Sequence, residues 1–325
     1  MSNFKVNLKR LVETLPVKGV NVLTPIIEGI VNGINSIDER KKIDKNFKDG
    51  KIEVIIEKKL QIDGKESGGI DFLKIIDNGI GFNKENFESF NEAFSEKKID
   101  IGGKGFGRIT YLKYFKTISV NSTYYDNGFK NIIFNFGKEG TYGNSISDGG
   151  NKHLTEIKFE FPEKVFSEGL NEKCETVARK LSEHLLSFLL DDNCPDIIIK
   201  LSGKSINLKE YIKREDCKIL GIKEIDKDIF GKKFKIYIYK FYFPEKDINS
   251  INLVAHNRVV TTTNLSKYIP EFEDIFTDKI NKNGKEKTEN YAIKIYVKSN
   301  LFDKSVNTIR NKFDFEVENL ENNFL

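Results

Sequence analysis

The residues best placed for chemistry in this chain include Asp77, Gly79 and Gly81, which follow one another at alternate positions. They come directly after an apolar run, residues 72–76, that indicates a buried strand. A carboxylate at the end of such a strand is held where it accepts hydrogen bonds, and the two glycines let the backbone approach a ligand closely. The ordinary alternative is a turn in which the aspartate only bonds its own backbone.

A second glycine-rich segment contains Gly103, Gly105 and Gly107 and leads into a helical pattern over residues 108–114. Backbone amides at a helix N-terminus beside flexible glycines form a phosphate-binding site. Lys104 lies between two of these glycines and would neutralise phosphate charge. The alternative for this segment is a solvated surface hairpin.

A third group lies upstream on a predicted helix that begins with Thr24 as N-cap and Pro25 in the first turn. Glu28 and Asn32 are four positions apart, so they project from one face of this otherwise apolar helix. A buried carboxylate and amide need polar partners, which a metal-bound phosphate and its attacking water would supply. Two exposed polar residues on a surface helix are the alternative.

Together these segments resemble the GHKL ATPase superfamily. That superfamily includes gyrase-type topoisomerases, the ninety-kilodalton heat-shock chaperone, the mismatch-repair protein MutL, microrchidia ATPases and sensor histidine kinases. The motifs occur in the order Glu28-x-x-x-Asn32, Asp77-x-Gly79-x-Gly81 and Gly103-x-Gly105-x-Gly107.

The resemblance implies that ATP and Mg²⁺ are the cofactors. Glu28 matches the general base that acts on the attacking water, and Asn32 matches the magnesium ligand. Asp77 matches the carboxylate that recognises the adenine amino group.

The same resemblance implies further nucleotide contacts. Gly79 and Gly81 match the turn beneath the base, and Thr155 matches the threonine that closes the adenine site. Leu154 replaces the glycine that usually precedes this threonine. The lid over the phosphates corresponds to Gly103, Lys104, Gly105, Phe106 and Gly107.

Two domains are expected. Residues 1–205 are predicted to form the GHKL (Bergerat) α/β sandwich with a mixed sheet, and residues 206–325 a smaller α/β domain of the transducer type. Residues 254–260 resemble the transducer strand around Asn-x-Arg. Residues 306–310 resemble a loop whose cation reaches the γ-phosphate, and this implies Arg310 as a catalytic residue.

Four less conspicuous segments also receive predictions from their patterns. Residues 137–152 are rich in glycine and serine and are expected to form a polar loop. Residues 172–190 predict one long helix, and residues 265–276 and 305–313 predict helices of the second domain.

Composition narrows the class of protein. The 325 residues have a hydrophobic fraction of 38% and a net charge of +4, which neither favours nor excludes nucleic acid. No apolar run suggests a membrane span, and the first residues do not resemble a signal peptide. Three widely spaced cysteines show no zinc pattern. A cytoplasmic protein without a membrane partner is therefore expected.

The expected activity is Mg-dependent ATP hydrolysis that closes the lid and drives a conformational change in a homodimer. The sequence does not choose between a protein client or partner subunit, as for a chaperone, and DNA, as for a clamp. The chain is also compatible with a fragment of a longer protein. The alternative function is a nucleotide-gated interaction module with little turnover.

Overall fold

The chain divides into two compact units, Met1–Tyr211 and Ile212–Leu325, close to the boundary at residue 205 that the sequence predicts. A computed structural model describes residues 8–14, 21–62, 64, 66–92, 107–170, 172–214, 218–242, 248–282 and 285–315. Each unit combines helices with a mixed sheet, which confirms the predicted α/β class. Among the described residues, no helix has the length and apolar character needed to cross a membrane.

The described strands of the first unit form one eight-stranded sheet. Its order is β5-β4-β3-β6-β2-β1-β7-β8, and its pairs are antiparallel except for the parallel pair of β1 with β7. The strands are β1 (Lys51–Leu60), β2 (Glu66–Asp77), β3 (Phe115–Tyr125), β4 (Phe129–Gly137), β5 (Gly140–Asp148), β6 (Leu154–Pro162), β7 (Asp196–Leu201) and β8 (Lys204–Asn207).

One face of this sheet is apolar and packs against helices. In β1 the alternate residues Ile52, Val54 and Ile56 are buried, as a period of two requires for a strand with one covered face. On the opposite face, Glu53 pairs with Lys200 at 2.7 Å. The helices are α1 (Leu8–Thr14), α2 (Thr24–Ile43), α3 (Lys84–Asn91), α4 (Gly107–Tyr114), α5 (Lys164–Ser167), α6 (Cys174–His184), α7 (Leu186–Leu189) and α8 (Leu208–Tyr211).

The second unit contains a sheet of order β12-β11-β14-β10-β9, with β13 paired to the first half of β14. Helix α9 (Asn300–Ser305) packs on one face, where Phe302 and Val306 join Ala255 in the core. The strands are β9 (Ile219–Ile229), β10 (Lys232–Phe241), β11 (Ser250–Ala255), β12 (Arg258–Asn264), β13 (Phe276–Lys282) and β14 (Lys285–Lys298).

Two predictions in the first unit are wrong. The polar segment 137–152 is not a loop, because Gly140–Asp148 forms the edge strand β5 along β4. The helix predicted over 172–190 is interrupted at Leu185, whose backbone (φ −103°, ψ 12°) departs from helical geometry. In the first segment, pairing with β4 outweighs the low strand propensity of glycine and serine. In the second, the non-helical backbone of Leu185 divides the helical pattern into two helices.

Two helix predictions in the second unit are also wrong. Residues 265–276 contain short 3₁₀ turns, because Pro270 forces Ile269 into an extended conformation. Residues 305–313 form a tight turn instead of a helix. The side chain of Asn307 accepts a hydrogen bond from the Asn311 amide at 3.0 Å, and such side-chain bonds compete with helix formation.

Candidate active site

Helix α2 lies close against the sheet, and its glycines permit this approach. A Cβ atom added to Gly29 would lie 2.1 Å from Ile75 Cδ1. One added to Gly33 would lie 3.0 Å from Ile52 Cδ1 and 3.5 Å from Asp77 Cβ. Larger side chains at these positions would require the packed isoleucine side chains to shift. The end of β2 therefore lies directly beneath α2.

Asp77 is the last residue of β2 and only 6% of it is exposed. One carboxylate oxygen accepts a hydrogen bond from the Gly79 amide at 2.9 Å. This is the turn contact that the ordinary alternative predicts, but a surface turn does not require such burial. Asp77 also lies directly opposite Thr155 in β6, so the two side chains point to the same face of the sheet.

The glycines after Asp77 are required by close backbone contacts. A Cβ atom on Gly79 would lie 2.6 Å from the backbone carbon of Ser36 in α2. Gly81 has φ +81°, and a Cβ atom there would lie 2.9 Å from Ser122 Oγ. Other residues are strained at such a positive φ. Both positions therefore allow the chain to pass between α2 and β3.

A buried pair of hydroxyl groups lies next to Asp77. Ser122 of β3 and Thr155 of β6 are 0% and 3% exposed, and their hydroxyl oxygens are 2.8 Å apart. Ser122 Oγ also accepts a hydrogen bond from the Phe82 amide at 3.0 Å. When Ser122 donates to Thr155, the Thr155 proton can be donated to a ligand. Acceptor and donor groups thus lie side by side at the end of the sheet.

Side chains from three directions hold the turn from Asn78 to Phe82. The Arg40 guanidinium donates to the Asn78 carbonyl at 2.7 Å, and the Asn86 amide donates to the Gly81 carbonyl at 2.9 Å. His153 Nδ1 lies 3.3 Å from the Ile80 carbonyl oxygen. Burial, with a smaller effect of the Arg40 charge, lowers the pKa of His153.

Glu28 and Asn32 of α2 both face helix α4. The Glu28 carboxylate lies against Gly107, since a Cβ atom there would be 2.4 Å from Glu28 Oε2. The Asn32 amide nitrogen donates to the Tyr111 hydroxyl at 3.0 Å. Glu28 and Asn32 are four residues apart on α2, and their partners Gly107 and Tyr111 are four residues apart on α4. The two helices therefore run alongside each other here. The structure therefore places the predicted base and metal ligand together, facing the start of α4.

Only the last residue of the predicted lid is described, and Gly107 begins α4. Arg108 follows, and its guanidinium donates to the Glu92 carbonyl and lies 5.3 Å from the Phe90 ring centre. Burial lowers the pKa of Arg108 to about 10. The remaining lid residues lie outside the described part of the chain: Gly103, Lys104, Gly105 and Phe106.

The side chains near Asn32 suit magnesium. Mg²⁺ prefers oxygen ligands and is usually held by one or two protein groups, with water and substrate phosphates completing its shell. The Asn32 amide oxygen and the Glu28 carboxylate are of this type. In the described ranges no three His, Cys, Asp or Glu side chains converge to hold a metal unaided. Asn32 and Glu28 thus offer oxygen ligands of the kind that Mg²⁺ prefers.

Arg310 lies in the second unit, in the turn after α9, with φ +55°. Its amide donates to the Asn307 carbonyl at 3.1 Å. Its charge also affects His256: burial lowers the pKa of His256, Asp303 opposes this, and Arg310 adds to it. Arg310 thus lies near His256 within its own unit, and a nucleotide contact stays a prediction.

The sequence prediction omitted Ser122 and Tyr111. Ser122 continues the inward-facing series of Ile118 and Val120 in β3, so a polar residue in that series was the available signal. Tyr111 lies one turn after Gly107, but only the packing of α4 on α2 reveals its contact with Asn32.

Comparison with known proteins does not identify this chain. No protein-family model matches it, and no curated protein matches it significantly. Membership of the GHKL superfamily therefore stays a prediction, and the functional argument depends on the site itself.

Proposed function

We propose that the first unit binds ATP with Mg²⁺ and hydrolyses it, in the manner of a GHKL ATPase. The observation that carries this proposal is the position of Asp77. Asp77 is a buried carboxylate that lies beneath α2 near Gly33 and opposite Thr155 in the sheet. The backbone beside it approaches its neighbours so closely that only glycine fits there. Glu28 and Asn32 project from the same helix toward the start of α4.

At one end of the site, the polar groups suit an adenine ring. The Asp77 carboxylate accepts hydrogen bonds and would bind the exocyclic amino group, while the Thr155 hydroxyl would donate to a ring nitrogen. Recognition through a buried acceptor and donor discriminates strongly, because a ligand without matching groups leaves them unsatisfied. This favours adenine over a base with a carbonyl at that position.

At the other end, the groups suit a phosphate chain and a water molecule. Glu28 would orient the attacking water and accept its proton, and Asn32 would hold the metal through its amide oxygen. Bound Mg²⁺ would supply charge neutralisation of the phosphates. Gly107 and the amides that follow it would bind the phosphate chain at the N-terminus of α4.

The proposal is tested by replacing Glu28. We expect Glu28→Ala and the isosteric Glu28→Gln to bind ATP as the wild type does but to hydrolyse it about 100- to 10,000-fold more slowly, as loss of a positioned base requires. Calorimetry measures binding, and phosphate release measures turnover.

Three outcomes separate the possibilities. Normal turnover in both variants would remove Glu28 from the mechanism. Tight ATP binding with negligible turnover even in the wild type would favour the nucleotide-gated interaction module. Absence of ATP binding by the wild type would overturn the proposal as a whole. Dimer closure on ATP stays a prediction from the family resemblance. The resemblance allows either a protein or DNA as the partner.

A further inference from the structure

Tyr111 provides the described hydrogen bond to the side chain of Asn32. Its hydroxyl accepts from Asn32 Nδ2 at 3.0 Å, and the tyrosine itself is 3% exposed. The ring packs edge-to-face on Phe159, a fully buried residue of β6, with ring centres 4.9 Å apart. The hydroxyl group is therefore held in place by the core of the unit.

The contact gives the Asn32 amide a direction. An asparagine side chain can present either its oxygen or its nitrogen, and only the oxygen binds a metal ion. In the structure the amide nitrogen donates to the Tyr111 hydroxyl, a group that can both donate and accept, and with this orientation the amide oxygen lies on the other side of the amide. An unoriented amide would have to lose this rotational freedom when the metal binds.

We infer that Tyr111 is a positioning residue for Mg²⁺-nucleotide binding, which it serves by holding the Asn32 amide with its oxygen toward the metal. This inference rests on the proposed ATPase function. Loss of a group that hydrogen-bonds to a metal ligand commonly lowers metal affinity by about 10- to 100-fold. Tyr111 belongs to α4, and the same helix begins at Gly107 beside Glu28. One helix thus contacts both functional residues of α2.

The test is Tyr111→Phe in the full-length protein, which removes the hydroxyl and keeps the ring. We expect the Mg²⁺ concentration for half-maximal ATP binding to rise by about 10-fold. ATP binding in the presence of a chelator should not change. Calorimetric titrations at a series of Mg²⁺ concentrations measure both quantities without relying on turnover.

Tyr114→Phe is the matched control. Tyr114 lies on the same helix, is 1% exposed, and donates its hydroxyl to the Asn21 carbonyl at 3.0 Å. Loss of this hydroxyl removes its part-buried hydrogen bonding without touching Asn32. We expect this variant to melt earlier but to keep the wild-type Mg²⁺ requirement. An equal rise in both variants would show that Tyr111 acts only through stability.

A second variant tests the inference without altering Tyr111. Asn32→Asp presents an oxygen in either orientation, so it should keep Mg²⁺-dependent ATP binding that Asn32→Ala loses. Adding Tyr111→Phe to Asn32→Asp should then have no further effect on the Mg²⁺ requirement. An unchanged Mg²⁺ requirement in Tyr111→Phe alone, or an Asn32→Asp variant as impaired as Asn32→Ala, would overturn the inference. Wild-type protein without Mg²⁺-dependent ATP binding would instead overturn the proposed function.

Discussion

A carboxylate accepts hydrogen bonds and donates none, and at Asp77 this property decides which ligand the site can recognise. Asp77→Asn keeps the shape of the side chain but places a donor where the adenine amino group would also donate. We expect ATP affinity to fall by about 1–3 kcal/mol, the usual effect of an unsatisfied buried group. Calorimetric titration with ATP measures this loss.

Asp71→Asn is the control for the Asp77 experiment. Asp71 belongs to the same strand but is exposed, so its change should leave ATP affinity at the wild-type value. If Asp77→Asn binds ATP as well as the wild type does, Asp77 serves only the turn through its bond to Gly79.

His153 makes the turn near Asp77 sensitive to pH. Its pKa is lowered in the folded protein, so below the ordinary value of 6.5 the unfolded chain takes up protons more readily than the folded one. The contribution of neutral His153 to stability is therefore present above pH 6.5 and is lost as the pH falls below it. We expect His153→Gln to show a smaller drop in melting temperature between pH 7.5 and pH 5.5 than the wild type.

The same pH change also affects His256, whose pKa is lowered in the second unit. The comparison therefore concerns the difference between His153→Gln and the wild type, not the pH dependence of either protein alone. Identical slopes in the two proteins would show that His153 titrates normally.

Among the secondary-structure elements, the contact between α2 and the turn after β2 depends most directly on one residue. Gly79 approaches the Ser36 backbone so closely that a Cβ atom would lie 2.6 Å from it. Gly79→Ala must therefore move the turn or the helix, at a cost of about 1–3 kcal/mol of unfolding free energy. Because Asp77 binds the Gly79 amide, ATP affinity should fall as well.

Gly68→Ala is the control for this substitution. Gly68 lies in the same strand that leads to Asp77, and a Cβ atom there would have no neighbour within 4 Å. Denaturant unfolding of the two variants should show a loss only for Gly79→Ala. Equal stability of Gly79→Ala and the wild type would mean that α2 is not packed against the turn in this way.

The sequence predicts elements well where local signals and tertiary packing agree. The apolar run before Asp77 ends β2 at that residue, as the sequence predicts. Asn83, a residue type that favours the N-cap, caps α3 through its side chain. Helix α2 begins at Thr24, one residue earlier than the predicted N-cap implies. The glycine and serine residues of β5 give no such signal, because pairing with β4 alone makes that segment extended.

The site is predictable from sequence to the same extent. The directions of the Glu28, Asn32 and Asp77 side chains follow from helical and strand periodicity. Their roles at a nucleotide are implied by the family resemblance and stay predictions. The bonds of Ser122 to Thr155 and of Tyr111 to Asn32 do not follow, because the partners are 33 and 79 residues apart along the chain. Only the folded arrangement of β3, β6, α2 and α4 brings these groups together.

At the scale of the whole molecule, the open question is whether the second unit senses the nucleotide. The family resemblance places a cation near the γ-phosphate, and Arg310 is the residue it indicates. In its own unit, Arg310 lies in a tight turn near His256. The alternative is therefore that its side chain only stabilises this turn. The two roles predict different effects on ATP and ADP.

A cation that meets only the third phosphate changes the affinity for ATP and not for ADP, since an interaction shifts an equilibrium only through its differential free energy. We therefore expect Arg310→Asn to weaken ATP binding or slow its hydrolysis while ADP affinity stays unchanged. Asparagine suits this test better than alanine, because it tolerates the positive φ of this position. Parallel titrations with ATP and ADP measure the difference.

A structural role for Arg310 predicts a different set of results. The melting temperature would fall, and the affinities for ATP and ADP would change together or not at all. Lys267→Asn, which removes an exposed cation elsewhere in the same unit, controls for net charge. If Arg310→Asn and Lys267→Asn have equal effects on ATP binding and turnover, Arg310 does not sense the γ-phosphate. The same titrations of Lys304→Asn and Lys298→Asn would then decide whether another cation of this region does.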